Sequence, residues 1–151
     1  MAVRTALNTL SKSLDAAVKK ALAKASQDAV RSAKATTKFK DGDGTDTRNI
    51  KLRENIIWDF GPGPNAAFVL AGAKHASYIE RGTTAHAIPL RLGGKTLHFK
   101  WNGVEFFRKS VVVSGIKPGR FMEEAQIIGY QSLGQNLRML TDEAIAKFNS
   151  K

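Results

Sequence analysis

Cysteine is absent from this chain of 151 residues. Without a thiol, the protein has no disulfide, no cysteine nucleophile and no zinc site of the cysteine type. Such a composition suits a reducing compartment. No apolar run approaches the ~20 residues that cross a bilayer, and Arg4, Lys12 and Asp15 stand where a signal peptide needs an apolar core. We therefore expect no membrane association, and a protein that stays soluble in the cytoplasm where it is made.

Acidic side chains are scarce, since the chain has 13 Asp and Glu residues but 24 Lys and Arg residues, which gives a net charge of +11. The excess lies in residues 1–40 and 74–120, each with nine basic and two acidic side chains. A field of this sign attracts polyanions or acidic protein surfaces. The length and a hydrophobic fraction of 42% suit one globular domain over residues 1–151.

Glycine and proline are absent from residues 3–37, which are rich in helix-forming Ala, Lys and Leu. This predicts an N-terminal helix within residues 1–40 that could serve as an assembly arm. Its later half presents mostly alanine, so we expect it to need a partner. The apolar stripe has alternating spacings of four and three: Val3, Leu7, Leu10, Leu14, Ala17 and Ala21. Three lysines on other faces could meet DNA or an acidic partner: Lys19, Lys20 and Lys24.

The acidic segment at residues 41–46 superficially resembles a calcium-binding loop. That loop requires glutamate at its twelfth position, where this chain has Leu52. We interpret the segment as an acidic turn that ends the helix.

A β-sheet core is predicted within residues 49–113. Residues 49–60 show period-two alternation, with Ile50, Leu52, Ile56 and Trp58 on one face. A second strand is expected over 66–71 and a short helix over 74–81, ending at Gly82.

The clearest β signal is the hairpin within residues 96–113, since Asn102-Gly103 favours a tight type I′ turn. Helical periodicity returns over residues 119–148, where Gly129 and Gly134 suggest a bend or a close helix contact. The predicted fold class is α+β, with a long N-terminal helix, an antiparallel sheet containing a central hairpin and a short inserted helix, and a C-terminal helix.

No catalytic constellation is recognisable. His75, His86 and His98 match no ligand spacing, and a small metal-dependent hydrolase using His75, Glu80 and His86 is a distant alternative. No phosphate-binding glycine loop occurs, because the prolines of residues 61–64 lack amide donors. We predict a protein that is not an enzyme and has no cofactor and no metal.

Basic and aromatic residues alternate in the hairpin region. The basic members are Lys95, Lys100, Arg108 and Lys109, and the aromatic members are Phe99, Trp101, Phe106 and Phe107. Such a mixture can stack on single-stranded nucleic acid. Aromatic residues in strands lie in a core or an interface more often than they stack on bases, so we favour an interface over base stacking. The basic residues beside them could face acidic partner proteins or DNA.

Residues 40–125 resemble the head–tail joining and tail-completion proteins of tailed bacteriophages. Gly44-Thr45 and residues 52–56 match the family loosely, and the first clear shared segment contains Tyr78, Glu80, Gly82 and Thr83 within residues 76–83. The later matches, in order along the chain, are Ile88, Pro89, Leu97, Phe99, Gly103, Phe107, Arg108, Val111, Gly115, Ile116, Pro118, Phe121 and Met122.

The resemblance implies a structural neck protein that forms a homo-oligomeric ring, commonly of six copies. Such a ring terminates the tail tube and joins it to the head-closure and connector proteins, and double-stranded DNA passes through it without sequence specificity. The protein would assemble in the host cytoplasm and reside in the virion neck. The residues expected to serve fold and interface are Tyr78, Glu80, Gly82, Thr83, Trp101, Phe107, Pro118 and Phe121. The alternative is a sequence-independent nucleic-acid-binding protein that uses its basic helix.

Overall fold

Long helices lie near both ends of the chain, and the described residues between them form six short strands and one short helix. A computed structural model describes residues 2–39, 51–63, 65–90, 94–101 and 103–150. The elements are α1 (Ala2–Ala35), β1 (Ile56–Phe60), β2 (Ala67–Ala71), α2 (Ala76–Arg81), β3 (His86–Ile88), β4 (Leu97–Trp101), β5 (Val104–Arg108), β6 (Val111–Val113) and α3 (Phe121–Asn149). The predicted α+β class is confirmed. The acidic turn predicted at residues 41–46 lies outside the described residues.

The chain forms two compact units. Unit 1 comprises residues 1–76 and 120–151, and unit 2 comprises residues 77–119. Unit 1 therefore combines α1, the β1–β2 ladder and α3, whereas unit 2 is a single continuous segment. The prediction of one domain over residues 1–151 stays a prediction.

The core of unit 1 forms where α1 packs antiparallel to α3. Alanines at every fourth position of α1 are buried, and they allow the two backbones to approach closely. They are Ala17, Ala21, Ala25, Ala29 and Ala33. The partner that this half of α1 was expected to need is α3. Leu7, by contrast, is 59% exposed, so the predicted stripe is buried only in its later part.

Gly129 supplies the closest approach on α3. A Cβ added to it would lie 3.2 Å from the Cβ of Ala29, which is tighter than ordinary side-chain contact. Leu140 packs against Ala17 and Ala21 further along the same interface. The predicted close helix contact is thus confirmed at Gly129. Gly134 differs, because an added Cβ there meets nothing within 4 Å.

A polar network crosses the same helix pair. Ser132 Oγ donates to Asp28 Oδ2 at 2.6 Å, and Asn136 Nδ2 donates to the Ser132 carbonyl at 2.7 Å. Asn136 is the one polar residue buried in the described core, at 7% exposure. Its hydrogen bonds offset the cost of burying an amide.

Arg53 closes the carboxyl end of α1. Its guanidinium donates to the carbonyl of Lys34, to that of Thr36 at 2.8 Å and to that of Phe39 at 2.9 Å. It also lies 4.7 Å from the centre of the Phe39 ring, and that ring meets Phe121 edge-on at 5.0 Å. A cation suits this position because the last carbonyls of a helix carry partial negative charge.

The β1–β2 ladder is shorter than the sequence predicts. Of the strand expected over residues 49–60, residues 49 and 50 lie outside the described part of the chain, and β1 begins at Ile56, which pairs with Ala71. Leu52 is buried as predicted, at 1% exposure, but it lies in a turn closed by the Asn55 amide on the Leu52 carbonyl. A buried turn residue and a strand residue give the same apolar spacing. The second predicted strand is confirmed as β2.

The described strands form three separate two-stranded antiparallel ladders, β1–β2, β3–β6 and β4–β5. The predicted antiparallel pairing of the strands is therefore confirmed, and the structure distributes the described strands over three ladders. The central hairpin is confirmed, since the pairing of Trp101 with Val104 leaves two residues for the turn, and Gly103 has φ +82°. The predicted short helix is confirmed as α2.

Candidate assembly interface

A crossing of two backbone segments fixes the fold of unit 2 around Gly82. This glycine follows α2 with φ +73°, in the left-handed region. The Thr83 amide donates to the Ile116 carbonyl at 2.9 Å, and Thr83 Oγ1 accepts from the Ile116 amide at 3.1 Å. A Cβ on Gly82 would lie 2.8 Å from Pro118 N and closer still to the Ile116 carbonyl. Only glycine fits there.

Two further glycines complete this crossing. A Cβ on Gly115 would lie closer than 3.0 Å to the Thr83 carbonyl, and one on Gly119 would lie 2.9 Å from the Ile79 carbonyl. The Gly119 amide donates to that same carbonyl at 2.8 Å. We call residues 79–83 and 115–119 together the glycine crossing. It gives a physical reason for the glycines in the motif.

Of the residues predicted to serve fold and interface, four lie in the glycine crossing, namely Glu80, Gly82, Thr83 and Pro118. Tyr78 stands on α2 with 59% of its surface exposed, and Glu80 is half-buried. Phe121 belongs to the core of unit 1, at 1% exposure.

The β4–β5 hairpin carries two different faces. Phe107, 56% exposed, stacks on His98 with ring centroids 4.5 Å apart. Phe99 and Phe106 stack on the opposite face and are half-buried, and the Arg108 guanidinium lies 5.6 Å from the Phe106 ring. These rings are thus engaged with their neighbours. Trp101 belongs to β4.

Unit 2 has almost no buried residues. Of its described residues, Gly119 alone is buried, and it has no side chain. Its large exposed apolar side chains are 37–72% accessible: Tyr78, Ile88, Leu90, Val104, Phe107, Val112, Val113 and Ile116. Two-stranded ladders are marginal in water without an apolar face covered by other structure. The exposed surface of unit 2 is therefore a strong candidate for contact with other chains.

The predicted basic residues are all exposed. Lys19, Lys20 and Lys24 lie on α1 in unit 1, whereas Lys95, Lys100, Arg108 and Lys109 lie in unit 2. Each group is available to an anionic partner, so the two basic regions of the sequence belong to two different compact units. Whether they meet DNA or protein stays a prediction.

In the part of the chain that the structure describes, no group of three or more His, Asp or Glu residues could hold a metal ion. His86 Nδ1 lies 3.1 Å from the Thr84 carbonyl, a local contact. The described helices include none that is both long and apolar enough to span a membrane.

The described residues thus combine an α+β fold, a covered helical core in unit 1 and an exposed, apolar and basic surface in unit 2, as expected for a structural protein that binds other chains. Comparison with known families gives this class a more specific identity. A family model described as "Bacteriophage HK97-gp10, putative tail-component" matches residues 2–82, more than half of the chain. The chain belongs to this family and is a phage tail component. No curated protein and no solved structure matches it.

The match confirms the predicted family and extends it. It includes α1, which lay outside the resemblance drawn from residues 40–125, and it ends at Gly82. The motif positions after Gly82 stay predictions. A family of structural tail components implies a non-enzymatic role, residence in the virion and contact with other virion proteins.

Proposed function

We propose that this tail component forms a homo-oligomeric ring in the virion neck, where it terminates the tail tube and joins it to the head-closure and connector proteins. The observation that supports the proposal is the exposure of the apolar side chains of unit 2. Its described residues bury no hydrophobic side chain, although its backbone is fixed by the glycine crossing. Neighbouring virion subunits would cover its exposed apolar surface.

The positive charge fits the same role. A ring around passing double-stranded DNA benefits from lysines and arginines that meet phosphates without reading bases. The exposed basic residues of unit 2, among them Lys95, Lys100, Arg108 and Lys109, would line this path or face acidic partner subunits. Six copies are expected from the family resemblance, with assembly in the host cytoplasm.

A pair of substitutions on the β3–β6 side of unit 2 tests the ring. Val112 is 72% exposed, so Val112→Asp leaves the isolated subunit folded but places a charge in the proposed contact. Ser110→Asp adds the same charge two residues away at an exposed polar position. We expect Val112→Asp to abolish ring formation and binding to tail tubes, and Ser110→Asp to retain both.

Negative-stain imaging and mass measurement over a range of concentrations provide the readout. A wild-type chain that is monomeric at every concentration, and that does not bind purified tail tubes, would contradict the proposal. Equal effects of the two aspartates would show that the exposed apolar surface of β6 is not the contact.

Sequence-independent nucleic-acid binding through α1 is the second candidate. It is favoured by the exposure of Lys19, Lys20 and Lys24 on one helix. This function predicts that the isolated monomer binds duplex DNA tightly and that salt weakens binding steeply. Replacing the three lysines by glutamine would then lower the salt slope by about 0.9 for each lost phosphate contact. An unchanged slope would exclude α1 as the binding element.

A further inference from the structure

The β1–β2 ladder of unit 1 has one exposed face that is mainly apolar. In its antiparallel register Ile57 lies opposite Leu70, and Asp59 lies opposite Phe68, so these four side chains share one face. Ile57 is 54%, Leu70 49% and Phe68 39% exposed. We call the four residues the ladder outer face. Exposed apolar side chains that adjoin one another in this way are typical of a binding surface.

The other face of the same ladder is covered. Ile56 is 0% exposed, Trp58 and Val69 are half-buried, and α1 contacts both strands. Packing against a helix is what stabilises a two-stranded ladder in water. The fold of unit 1 therefore explains the apolar side chains on the covered face, but not those on the ladder outer face.

Charge distinguishes this ladder from the rest of a basic chain. Residues 54–73, which contain both strands, include two acidic residues and no Lys or Arg, although the whole chain has 24 Lys and Arg. Asp59 lies on the ladder outer face and is exposed. Its Oδ1 accepts from the adjacent Phe60 amide at 2.7 Å, and no cation in the described part of the chain pairs with its carboxylate. An apolar surface with an unpaired carboxylate complements an apolar surface with positive charge.

Unit 2 provides a surface of that complementary kind. Residues 77–119 carry seven Lys and Arg and two Glu, a net charge of +5, and they expose apolar side chains such as Val112 at 72%. Neighbours in a ring are related by rotation, so each contact joins two different surfaces of the same chain. The ladder outer face and the apolar surface of unit 2 meet this condition, because they lie in different units and differ in charge.

We propose that the ladder outer face of one copy binds the apolar, basic surface of unit 2 of the next copy. This inference rests on the proposed ring function and deepens it, since it names the two surfaces that neighbouring subunits bring together. Every copy offers its ladder to one neighbour and its unit 2 to the other. Repetition of such a contact about one axis closes a ring.

Two substitutions separate the two halves of this contact. Leu70→Asp places a charge on the ladder outer face, and Val112→Asp places one on the apolar surface of unit 2. Both positions are exposed, so both variants should fold, which circular dichroism melting curves verify. Each variant alone lacks one half of the contact and should be monomeric. Because both carry aspartate, the two altered surfaces repel and do not compensate each other.

A mixture of the two variants in equal amounts is the decisive sample. The intact ladder of Val112→Asp should bind the intact unit 2 of Leu70→Asp, which gives a dimer of two different chains that does not grow into a ring. Mass measurement over a range of concentrations detects this dimer. We expect the mixture to associate at least about tenfold more tightly than either variant associates with itself.

An additional change in Val112→Asp, which supplies the ladder, tests the role of charge. Asp59→Lys should weaken the mixed dimer about tenfold, because it places a like charge against the basic surface of unit 2. Asn65→Lys is the matched control, since Asn65 is exposed in the turn between β1 and β2 and lies outside the ladder outer face. It should change the affinity little. Equal effects of the two lysines would contradict the pairing of Asp59 with unit 2.

The outcomes distinguish this contact from the ring function. A mixture that stays monomeric while the wild-type chain forms rings would overturn the contact and leave the ring function intact, as would rings formed by Leu70→Asp alone. Binding of the ladder to unit 2 within one chain would also leave the mixture monomeric. A mixed dimer together with a wild-type chain that neither forms rings nor binds tail tubes would support the contact and refute the ring function.

Discussion

Replacement of Gly82 by alanine should loosen unit 2 far more than the same change at another left-handed glycine. Gly82→Ala forces an L-residue to φ +73°, which costs about 1–2 kcal/mol. The new Cβ also overlaps the Ile116 carbonyl and Pro118 N, so the two segments must separate. The two hydrogen bonds between Thr83 and Ile116 then fail, at about 1 kcal/mol each.

Gly103→Ala is the matched control. Gly103 has φ +82°, yet an added Cβ meets nothing within 4 Å. It therefore incurs only the conformational cost, about 1–2 kcal/mol. The two variants should differ by about 2 kcal/mol, which corresponds to a roughly 30-fold difference in the opening equilibrium of the crossing.

Hydrogen exchange measured by mass spectrometry on peptides that contain Thr83 and Ile116 is the appropriate assay, because it reports local opening. We expect these amides to lose their protection in Gly82→Ala and to keep most of it in Gly103→Ala. Peptides from α1 and α3 serve as internal references. Equal protection of the crossing in the two variants would refute the argument that steric overlap excludes alanine from position 82.

Three further predictions concern the thermal stability of unit 1, measured by circular dichroism in dilute solution. Gly134→Ala should stabilise by about 1 kcal/mol through helix propensity, whereas Gly129→Ala should be less stable than Gly134→Ala because its Cβ crowds α1; the opposite order would contradict the packing described. Arg53→Met should lower the free energy of unfolding by about 3 kcal/mol, at about 1 kcal/mol for each hydrogen bond to a carbonyl. The control is Arg31→Met, which removes an exposed ion pair at 3.3 Å and should lower it by under about 1 kcal/mol. Equal losses of stability would exclude a special role for Arg53. Arg120 has φ 50° at the start of α3, so Arg120→Gly should stabilise by about 1 kcal/mol, and a loss of stability would indicate that its side chain matters more than its backbone.

Local sequence signals predicted local structure well. The Asn102-Gly103 pair predicted the hairpin, and Gly82 predicted the end of α2. A tight turn and a helix end both use conformations that glycine adopts without strain. The partner of a strand is a different matter, since alternation says which side is apolar but not which strand lies beside it. For this reason the sequence predicted antiparallel strands but did not show that they divide into three ladders.

The same distinction applies to the candidate site. The motif containing Gly82 and Thr83 could be recognised, but its contact with Ile116 depends on residues more than thirty positions away. Leu52 shows the other limit, because a buried turn residue and a strand residue share the same spacing. Arg53 was missed because a basic residue between apolar positions resembles a solvated strand face. Its three carbonyl partners become visible only when the end of α1 is placed beside it.

The discontinuity of unit 1 has a consequence for biosynthesis. The ribosome makes α1 first, then the segment that becomes unit 2, and only afterwards α3. Domains generally fold as units during translation. In this chain, however, the alanine face of α1 has no packing partner until α3 has emerged from the ribosome. A product terminated before Phe121 therefore lacks the helical core altogether. Such fragments should fall to proteolysis, and defective subunits would be removed before they reach a growing virion.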